Sequence, residues 1–277
     1  MIALSQAAGR LTAPDFARGS VWLAGAGPGD PGLLTLHALH GLGTADVVLH
    51  DALVAPEILA LAATPRRIAV GKRAGGMRTP QLRINQRLIA LARQGLRVLR
   101  LKGGDPLVFG RGSEEALALV AAGIPFRIVP GISAGIGGTA AAGIPLTHRG
   151  LGRSVAFVTG HDSHGGMPLD LDLAALSRGA EVLVFYMALR QAGPIAAALI
   201  AAGRDPDAPI MFVANATTAR QRVTEARLAT AGAVAATLPP APTLIVTGPV
   251  LALRPILAPL LDATPMTLAA QAAALTA

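Results

Sequence analysis

Short apolar segments alternate five times with helical segments in the first half of the chain, and this alternation limits the possible folds more than any other feature. Strands are expected over 21–24, 47–49, 68–70, 98–101 and 126–129. Helices are expected between them, near 33–42, 56–62, 80–95 and 113–123. Strands that alternate with helices form parallel sheets covered by helices on both faces, so we predict an α/β fold.

Polar residues follow the expected strands at their carboxyl ends, at Asp30, Asp51, Lys72 and Asp105. In an open parallel sheet these ends meet at one edge, where ligands bind. A shared binding site is therefore expected there. Asp51 and Lys72 are the best acid–base candidates, although an aspartate at a strand end can also be a helix cap or a turn former.

The segment 100–115 is the most concentrated candidate site. Its glycines would let a ligand approach the backbone, and its charged residues include Asp105, Arg111 and Glu114. Arg111 and Arg149 are candidates for gripping carboxylates, because a guanidinium bonds them in bidentate fashion. Ser113 is expected to cap the helix that follows, with acidic residues in its first turn.

The alternation restarts after residue 147, and we predict two α/β domains. The expected divisions are an N-terminal arm (1–19), a first domain (20–147), a second domain (148–260) and a tail (261–277). In the second domain, residues 222–225 are expected to pair antiparallel. The small residues of 131–143 predict either a tightly packed helix or a backbone wall against a flat ligand.

Composition excludes several classes of protein. There is no cysteine, so disulfides, thiolate metal sites and cysteine nucleophiles are excluded, and a reducing cytoplasm is expected. No apolar run is long enough for a membrane span, and no signal peptide is evident. The loop 25–32 fails the dinucleotide fingerprint because Asp30 replaces its third glycine. The six histidines show no metal-site spacing, so no metal is predicted.

The net charge of +8 indicates an anionic partner, either nucleic acid or a small polycarboxylate or phosphate ligand. Only eight residues are Phe, Tyr or Trp, which disfavours recognition by base stacking. The charge alone leaves both partners open.

Several segments together resemble the uroporphyrinogen-III C-methyltransferases of the tetrapyrrole methylase superfamily. The most specific are the L-K-G-G-D-P-x-x-F-G-R-G run at 101–112 and the T-H-R run at 147–149. The others are 25–30, 46–54, 71–73, 129–135, 143–146 and 159–161. The resemblance covers about residues 21–250. Two departures are His50, where the family usually has tyrosine, and Ser133, where it usually has threonine.

The resemblance implies two α/β domains with S-adenosylmethionine in the cleft between them. It implies donor contacts from Pro28, Gly103, Gly104, Asp105, Val108, Ser133, Ala134, Met187, Ala216 and Thr243. Asp51 is similar to the family's proposed proton acceptor, and Lys72 to its proposed donor. Arg111, Glu114 and Arg149 match positions expected near the tetrapyrrole, and Arg111 is also a catalytic candidate.

The activity implied is methylation of uroporphyrinogen III at C2 and C7, through precorrin-1 to precorrin-2, with S-adenosylhomocysteine as by-product. A homodimer in the cytoplasm is implied, without nucleic acid or membrane partners. About 20 residues precede the first strand, so no dehydrogenase or chelatase activity is expected and precorrin-2 would pass to a separate enzyme. The rival hypotheses are a methylase of another macrocycle position, a ribosomal-RNA methyltransferase and a nucleic-acid-binding protein without enzyme activity.

Overall fold

A computed structural model describes residues 13–71, 80–160 and 171–261 of the 277-residue chain. The chain divides into two compact units, 1–137 and 138–277. The division falls inside a helix, Ala134–Ala141, whereas the sequence pattern predicts a domain junction after residue 147.

The first unit is built on a five-stranded sheet in which all neighbouring strands run parallel, in the order β3-β2-β4-β1-β5. Its strands are β1 (Val21–Gly25), β2 (Val47–His50), β3 (Arg67–Ala69), β4 (Val98–Lys102) and β5 (Phe126–Val129). Its helices are α1 (Leu36–Thr44), α2 (Pro56–Ala60), α3 (Gln81–Arg93), α4 (Gly112–Ala121) and α5 (Ala134–Ala141), the last of which crosses the division. The predicted α/β fold is confirmed.

Alternate residues of the central strands pack into two separate cores, one on each face of the sheet. Trp22 and Leu99 belong to one core, whereas Leu23 and Val98 belong to the other. A strand buried on both faces needs apolar residues at every position, which explains the continuous apolar runs in the sequence.

Three helix starts differ from the prediction. Helix α4 begins at Gly112 rather than after a Ser113 cap, and the residue before it, Arg111, has a left-handed backbone. Helix α3 begins at Gln81, so Pro80 is its N-cap residue instead of its first helical residue. The helix expected over 33–42 is a 3-10 turn, Pro31–Leu33, followed by α1, which the Thr35 side chain caps.

The second unit contains a mixed sheet in the order β6-β7-β10-β8-β9. Its strands are β6 (Val155–Thr159), β7 (Val182–Tyr186), β8 (Pro209–Ala214), β9 (Arg222–Arg227) and β10 (Thr243–Thr247). Its helices are α6 (Leu173–Gly179), α7 (Ala192–Ala201), α8 (Ala231–Thr237) and α9 (Arg254–Leu257). Only β6 and β7 pair parallel, and the antiparallel pairing predicted for β9 is confirmed.

Leu183, Phe185, Ile195 and Phe212 are among the residues that form the core of this unit. Most of the predicted tail, from residue 262 onward, lies outside the described residues. In the three described ranges, no helix combines the length and apolar character needed to cross a membrane.

Candidate active site

Glycines bring three loops of the first unit into backbone contact at the carboxyl edge of its sheet. Gly27 and Gly104 exchange two backbone hydrogen bonds of 3.2 and 2.8 Å. A Cβ on Gly131 would lie 2.2 Å from the Gly104 carbonyl oxygen and 2.7 Å from the Gly25 Cα. Any side chain at Gly131 would therefore force the loop after β5 away from the loop after β4 and from the end of β1.

Asp105 ties two of these loops together. One carboxylate oxygen accepts a 2.8 Å hydrogen bond from the backbone N–H of Leu107, and the other accepts a 3.0 Å bond from Gly131. The first bond shapes the loop after β4, and the second attaches it to the segment that leads into α5. The predicted donor-binding residue is thus also the residue that fixes the shape of this region.

The donor contacts predicted in the first unit come from these same three loops. A Cβ on Gly104 would lie 3.7 Å from both the Ser133 Cα and the Ala134 N, and a Cβ on Gly137 would lie 3.0 Å from the Pro28 Cγ. The remaining three, Gly103, Asp105 and Val108, lie on the loop after β4. Six of the seven residues thus come from neighbouring loops at one edge of the sheet, and the seventh, Ala134, begins α5 directly after the loop that follows β5.

Arg111 ends this loop with an exposed ion pair. Its guanidinium donates two hydrogen bonds of 2.8 Å to the two carboxylate oxygens of Glu114, and these bonds raise the pKa of Arg111 above its usual range. The backbone of Arg111 and of Phe109 is left-handed, with φ of 59° and 53°. The Arg111 side chain, 39% exposed, remains accessible to an anionic ligand.

A cluster of four charged side chains lies beside Asp51, and we call it the β4 charge cluster: Asp51, Arg100, Lys102 and Glu115. Arg100 donates to the Asp51 carboxylate and, at 3.0 Å, to Oε1 of Glu115. The Lys102 Nζ lies 2.9 Å from the same Glu115 oxygen and 3.9 Å from Oδ2 of Asp51. Of these four residues, Asp51 alone is predicted from the sequence to act in the site.

Burial divides the β4 charge cluster into an inner and an outer part. The Glu115 side chain is 0% exposed and those of Arg100 and Lys102 are 2% exposed, whereas Asp51 is 27% exposed. Burial lowers the pKa of Lys102, and the charge of Arg100 lowers it further, against the opposing charges of Asp51 and Glu115. Asp51 is therefore the member through which the cluster reaches solvent.

The donor contacts predicted in the second unit lie at one edge of its sheet. Met187 directly follows β7, and Thr243 begins β10, which pairs with β7 through Leu244 and Tyr186. Ala216 follows β8, whose last residue pairs with Thr243. The backbones of Met187, Asn215 and Thr217 are all left-handed, with φ between 48° and 62°. Such strain in non-glycine residues often accumulates at functional sites.

Two more residues, Arg149 and Lys72, are predicted from the sequence to belong to the site. Arg149 is exposed in the turn that the His148–Gly152 bridge closes. Lys72 lies outside the described residues, so its predicted role as proton donor stays a prediction.

The ring of His50 interacts with the backbone oxygen of Asp51 at 3.1 Å. Across the described ranges, no three His, Asp or Glu side chains are grouped to hold a metal ion.

Comparison with known proteins identifies the family to which the chain belongs. The family model of the Tetrapyrrole (Corrin/Porphyrin) Methylases matches residues 20–232. A Sinorhizobium sp. protein named uroporphyrinogen-III C-methyltransferase is 54% identical over 244 residues, which cover 87% of both chains. The siroheme synthase of Stutzerimonas stutzeri is 52% identical over 87% of this chain, but that region is 52% of its own length.

A solved structure with a related name is also similar to this chain. The uroporphyrin-III C-methyl transferase of Thermus thermophilus, complexed with S-adenyl homocysteine, has a TM-score of 0.74 and 42% sequence identity. The match covers 84% of this chain and 99% of that chain. On the family match and the identity of these relatives, the chain belongs to the tetrapyrrole (corrin/porphyrin) methylases.

Proposed function

We propose that this protein is an S-adenosylmethionine-dependent C-methyltransferase that converts uroporphyrinogen III, by methylation at C2 and C7, through precorrin-1 to precorrin-2. The backbone surface formed by Gly103, Gly104 and Asp105 against Ser133 and Ala134 carries this proposal. The similar Sinorhizobium protein bears the name of this activity, and the similar Thermus structure contains the demethylated donor.

The loops of the first unit fit a methyl donor because they present backbone groups without side chains. Gly103 and Gly104 carry no side chain in the loop after β4, and close approach of a ligand to bare backbone is a use to which such glycines are suited. When bound, the donor supplies an electrophilic methyl group on a sulfonium. In the second unit Met187, Ala216 and Thr243 are the proposed contacts.

The chain provides alignment and proton transfer rather than a nucleophile, because the attacking atom is a carbon of the macrocycle. A proton must leave that macrocycle after each transfer, and a positioned carboxylate can accept it. Asp51 suits this role because Arg100 donates a hydrogen bond to it while its side chain remains 27% exposed. Lys72 is the proposed proton donor by position in the sequence.

Arg111, Glu114 and Arg149 are the proposed residues for the carboxylate arms of the substrate. Arg111 can exchange its bidentate partner Glu114 for a substrate carboxylate without burying a new charge, since its side chain is already exposed. Glu114 would hold the guanidinium in place until the substrate binds. The net charge of +8 attracts such a polyanion.

We also propose a cytoplasmic homodimer that passes precorrin-2 to a separate enzyme. The absence of cysteine suits a reducing compartment. Sedimentation of the purified protein measures the oligomeric state directly, and a monomer at working concentration would contradict the homodimer.

The function is tested by incubating the purified protein with uroporphyrinogen III and methyl-labelled donor. We expect the label in a tetrapyrrole that has gained two methyl groups, and no label in added ribosomal RNA. A folded Asp51→Asn variant should bind S-adenosylhomocysteine normally and lose most of the turnover. Label in RNA but not in a tetrapyrrole would overturn the proposal, and a tetrapyrrole methylated at other positions would replace the substrate assignment.

A further inference from the structure

The positive charge of this chain is concentrated in one stretch of its sequence. Residues 58–104 contain eleven lysines and arginines and no acidic residue, whereas the rest of the chain contains 13 cations and 16 acidic residues. The net charge of +8 therefore comes entirely from this stretch. It runs from α2, through β3 and α3, to the loop after β4. An anionic ligand attracted by the chain is thus drawn to this part of the first unit.

Three of these cations have acidic partners. The Arg97 Nη1 lies 3.7 Å from Oδ1 of Asp46, and Arg100 and Lys102 both bond to Glu115 in the β4 charge cluster. Because the charges of such a pair nearly cancel at a distance, these residues contribute little to the attraction of an anion outside. The attraction depends on cations that have no acidic partner.

Helix α3 carries three exposed arginines of this second kind. Arg83, Arg87 and Arg93 take part in no ion pair within the part of the chain that the structure describes, and α3 contains no acidic residue. Arg83 and Arg87 are four residues apart and so lie on the same side of the helix, and we call them the α3 arginine pair. Like charges at this spacing destabilise a helix slightly, so the pair does not serve the fold.

The start of α3 lies beside the candidate site. The Gln81 side chain, in the first turn of α3, donates a 3.0 Å hydrogen bond to Glu115, to which Lys102 also donates at 2.9 Å. Lys102 ends β4 directly before Gly103, and Glu115 lies in the first turn of α4, which follows Arg111. A helix rises 1.5 Å per residue, so the α3 arginine pair lies roughly 3 and 9 Å along the axis from this contact.

Two other exposed arginines lie at the opposite end of α3. Arg93 is its last residue, about 18 Å along the axis from Gln81. Arg18 precedes Gly19, whose N–H bonds to the carbonyl of Leu96 just after α3, and it also has no ion pair in the described ranges. Salt screens charges over about 10 Å at 0.1 M. Equal charges at the two ends should therefore act unequally on a ligand that approaches the site.

We propose that the α3 arginine pair is an electrostatic approach surface that raises the association rate of the polycarboxylate substrate at the candidate site. The inference rests on the proposed function for the identity of that substrate. A macrocycle with many carboxylate arms responds strongly to a local positive field, because the energy grows with its total charge. Charges at the rim of a binding site change the association rate and its dependence on salt, whereas buried contacts change the dissociation rate.

The test compares two double variants of equal net charge, Arg83→Gln/Arg87→Gln and the control Arg18→Gln/Arg93→Gln. Stopped-flow fluorescence follows the association of uroporphyrin III, the stable oxidised macrocycle with the same carboxylate arms. In about 50 mM KCl, kon should fall by about threefold or more in the first variant and by less than about 1.5-fold in the control. The koff should stay within about twofold, and the difference in kon should vanish at about 500 mM KCl.

A third variant, Arg83→Lys/Arg87→Lys, separates charge from contact. It keeps both charges but cannot bind a carboxylate in bidentate fashion, so kon and koff should both match the wild type. A lower kon in the lysine variant would overturn the inference. Equal losses of kon in the two glutamine variants would do the same, as would an unchanged kon in Arg83→Gln/Arg87→Gln.

Further measurements keep the test decisive. The thermal unfolding midpoint and the Kd for S-adenosylhomocysteine should match the wild type in every variant, and single variants replace any double variant that does not fold. If uroporphyrin III does not bind, kcat/KM for uroporphyrinogen III decides by the same comparison. A wild type that binds the macrocycle in this salt-dependent way without methylating uroporphyrinogen III would refute the proposed function alone. Methylation with the same kon in all the proteins would refute the approach surface alone.

Discussion

At the scale of single residues, the site depends on side chains that hold backbone or other side chains in place. Asp105 fixes two loops through two backbone N–H groups, and Glu115 gathers Arg100, Lys102 and Gln81 around one oxygen. Such residues act by holding neighbouring groups in position. Their substitution should therefore affect one binding step more than the fold as a whole.

Asp105→Ala should weaken binding of the methyl donor. The change leaves the part-buried N–H of Gly131 without its acceptor, at a cost of about 1–3 kcal/mol, whereas the N–H of Leu107 is in an exposed bond that water can replace. Calorimetry with S-adenosylhomocysteine should show a Kd raised by about tenfold or more.

Asp172→Ala is the matched control for Asp105→Ala. Asp172 also accepts a backbone N–H bond, from Ala175, but it caps α6 in the second unit. Its loss should cost about 1 kcal/mol of stability and leave the Kd unchanged. A folded Asp105→Ala protein with wild-type affinity would contradict the role that we give to this carboxylate.

Arg111→Ala should reduce tetrapyrrole turnover while sparing donor binding. The exposed Arg111–Glu114 pair contributes little to stability, about 0–1 kcal/mol for pairs of this kind. Steady-state kinetics should show kcat/KM for the tetrapyrrole reduced by about tenfold or more. Arg111→Lys should recover only part of the loss because an ammonium cannot bind in bidentate fashion. Unaltered turnover at limiting tetrapyrrole would exclude the role.

Stability should depend on pH through Lys102. Its pKa in the folded protein is lowered from the ordinary 10.5 by burial, so between the two values the unfolded chain binds more protons. The free energy of unfolding must then rise with pH across that interval. Urea denaturation at pH values up to about 10.5 should show the rise in the wild type, and Lys102→Met should lack it. Equal slopes in both proteins would contradict this.

At the scale of elements, the glycine contacts between loops decide the shape of the site. The end of β1 and the loops after β4 and β5 approach so closely that Gly25 and Gly131 leave no space for a Cβ, which would lie 2.4 or 2.2 Å from the Gly104 carbonyl oxygen. The strands themselves are ordinary buried strands. The close packing that restricts these positions to glycine is therefore found in the loops at one edge of the sheet, and the strands themselves are conventional.

Gly131→Ala should destabilise the protein, because its Cβ would lie 2.2 Å from the Gly104 oxygen. Overpacking of this kind costs about 1–3 kcal/mol. Gly43→Ala is the control, since Gly43 lies within α1 and its Cβ would meet nothing within 4 Å. That substitution should stabilise by about 0.5–1 kcal/mol. Thermal unfolding measures both, and a Gly131→Ala protein as stable as the wild type would refute the close contact.

At the scale of the whole molecule, the excess of positive charge is the property that bears most on substrate binding. The chain carries 24 lysines and arginines against 16 aspartates and glutamates, and 22 of the cations are arginines. Arginine stays charged at every physiological pH and binds carboxylates in bidentate fashion. The composition therefore suits a substrate with many carboxylate arms.

Salt should act on the two substrates differently. Screening weakens attraction between exposed charges, so KM for the tetrapyrrole should rise several-fold between about 50 and 300 mM KCl. Binding of S-adenosylhomocysteine, which has no net charge, should change much less. Kinetics and calorimetry at matched ionic strengths test this. A tetrapyrrole KM independent of salt would show that net charge does not assist binding.

Sequence pattern was sufficient for the first sheet because each strand is a local apolar run that ends at a polar or glycine-rich turn. It also located the candidate loop around Asp105, since glycine spacing is visible in the sequence. The family resemblance is confirmed by the match over residues 20–232. The assigned site roles remain predictions.

The β4 charge cluster could not be predicted from local pattern. The acidic residues of the first turn of α4 are expected from the sequence to stabilise the helix end, but one of them, Glu115, is fully buried against two cations of β4. Arg100 and Lys102 are two residues apart in an apolar strand and so point to the same face. That spacing was the available signal, but their counterion is set by how α4 packs on the sheet.

The left-handed residues have a consequence for laboratory evolution. Across the described ranges, Phe109, Arg111, Met187, Asn215 and Thr217 are the non-glycine residues with positive φ, and all lie in predicted ligand loops or next to predicted contacts. Glycine would relieve roughly 1 kcal/mol at each site. A library screened for heat resistance alone should thus accumulate glycine at these five codons. A library selected for growth that depends on the enzyme making its product should lose glycine there.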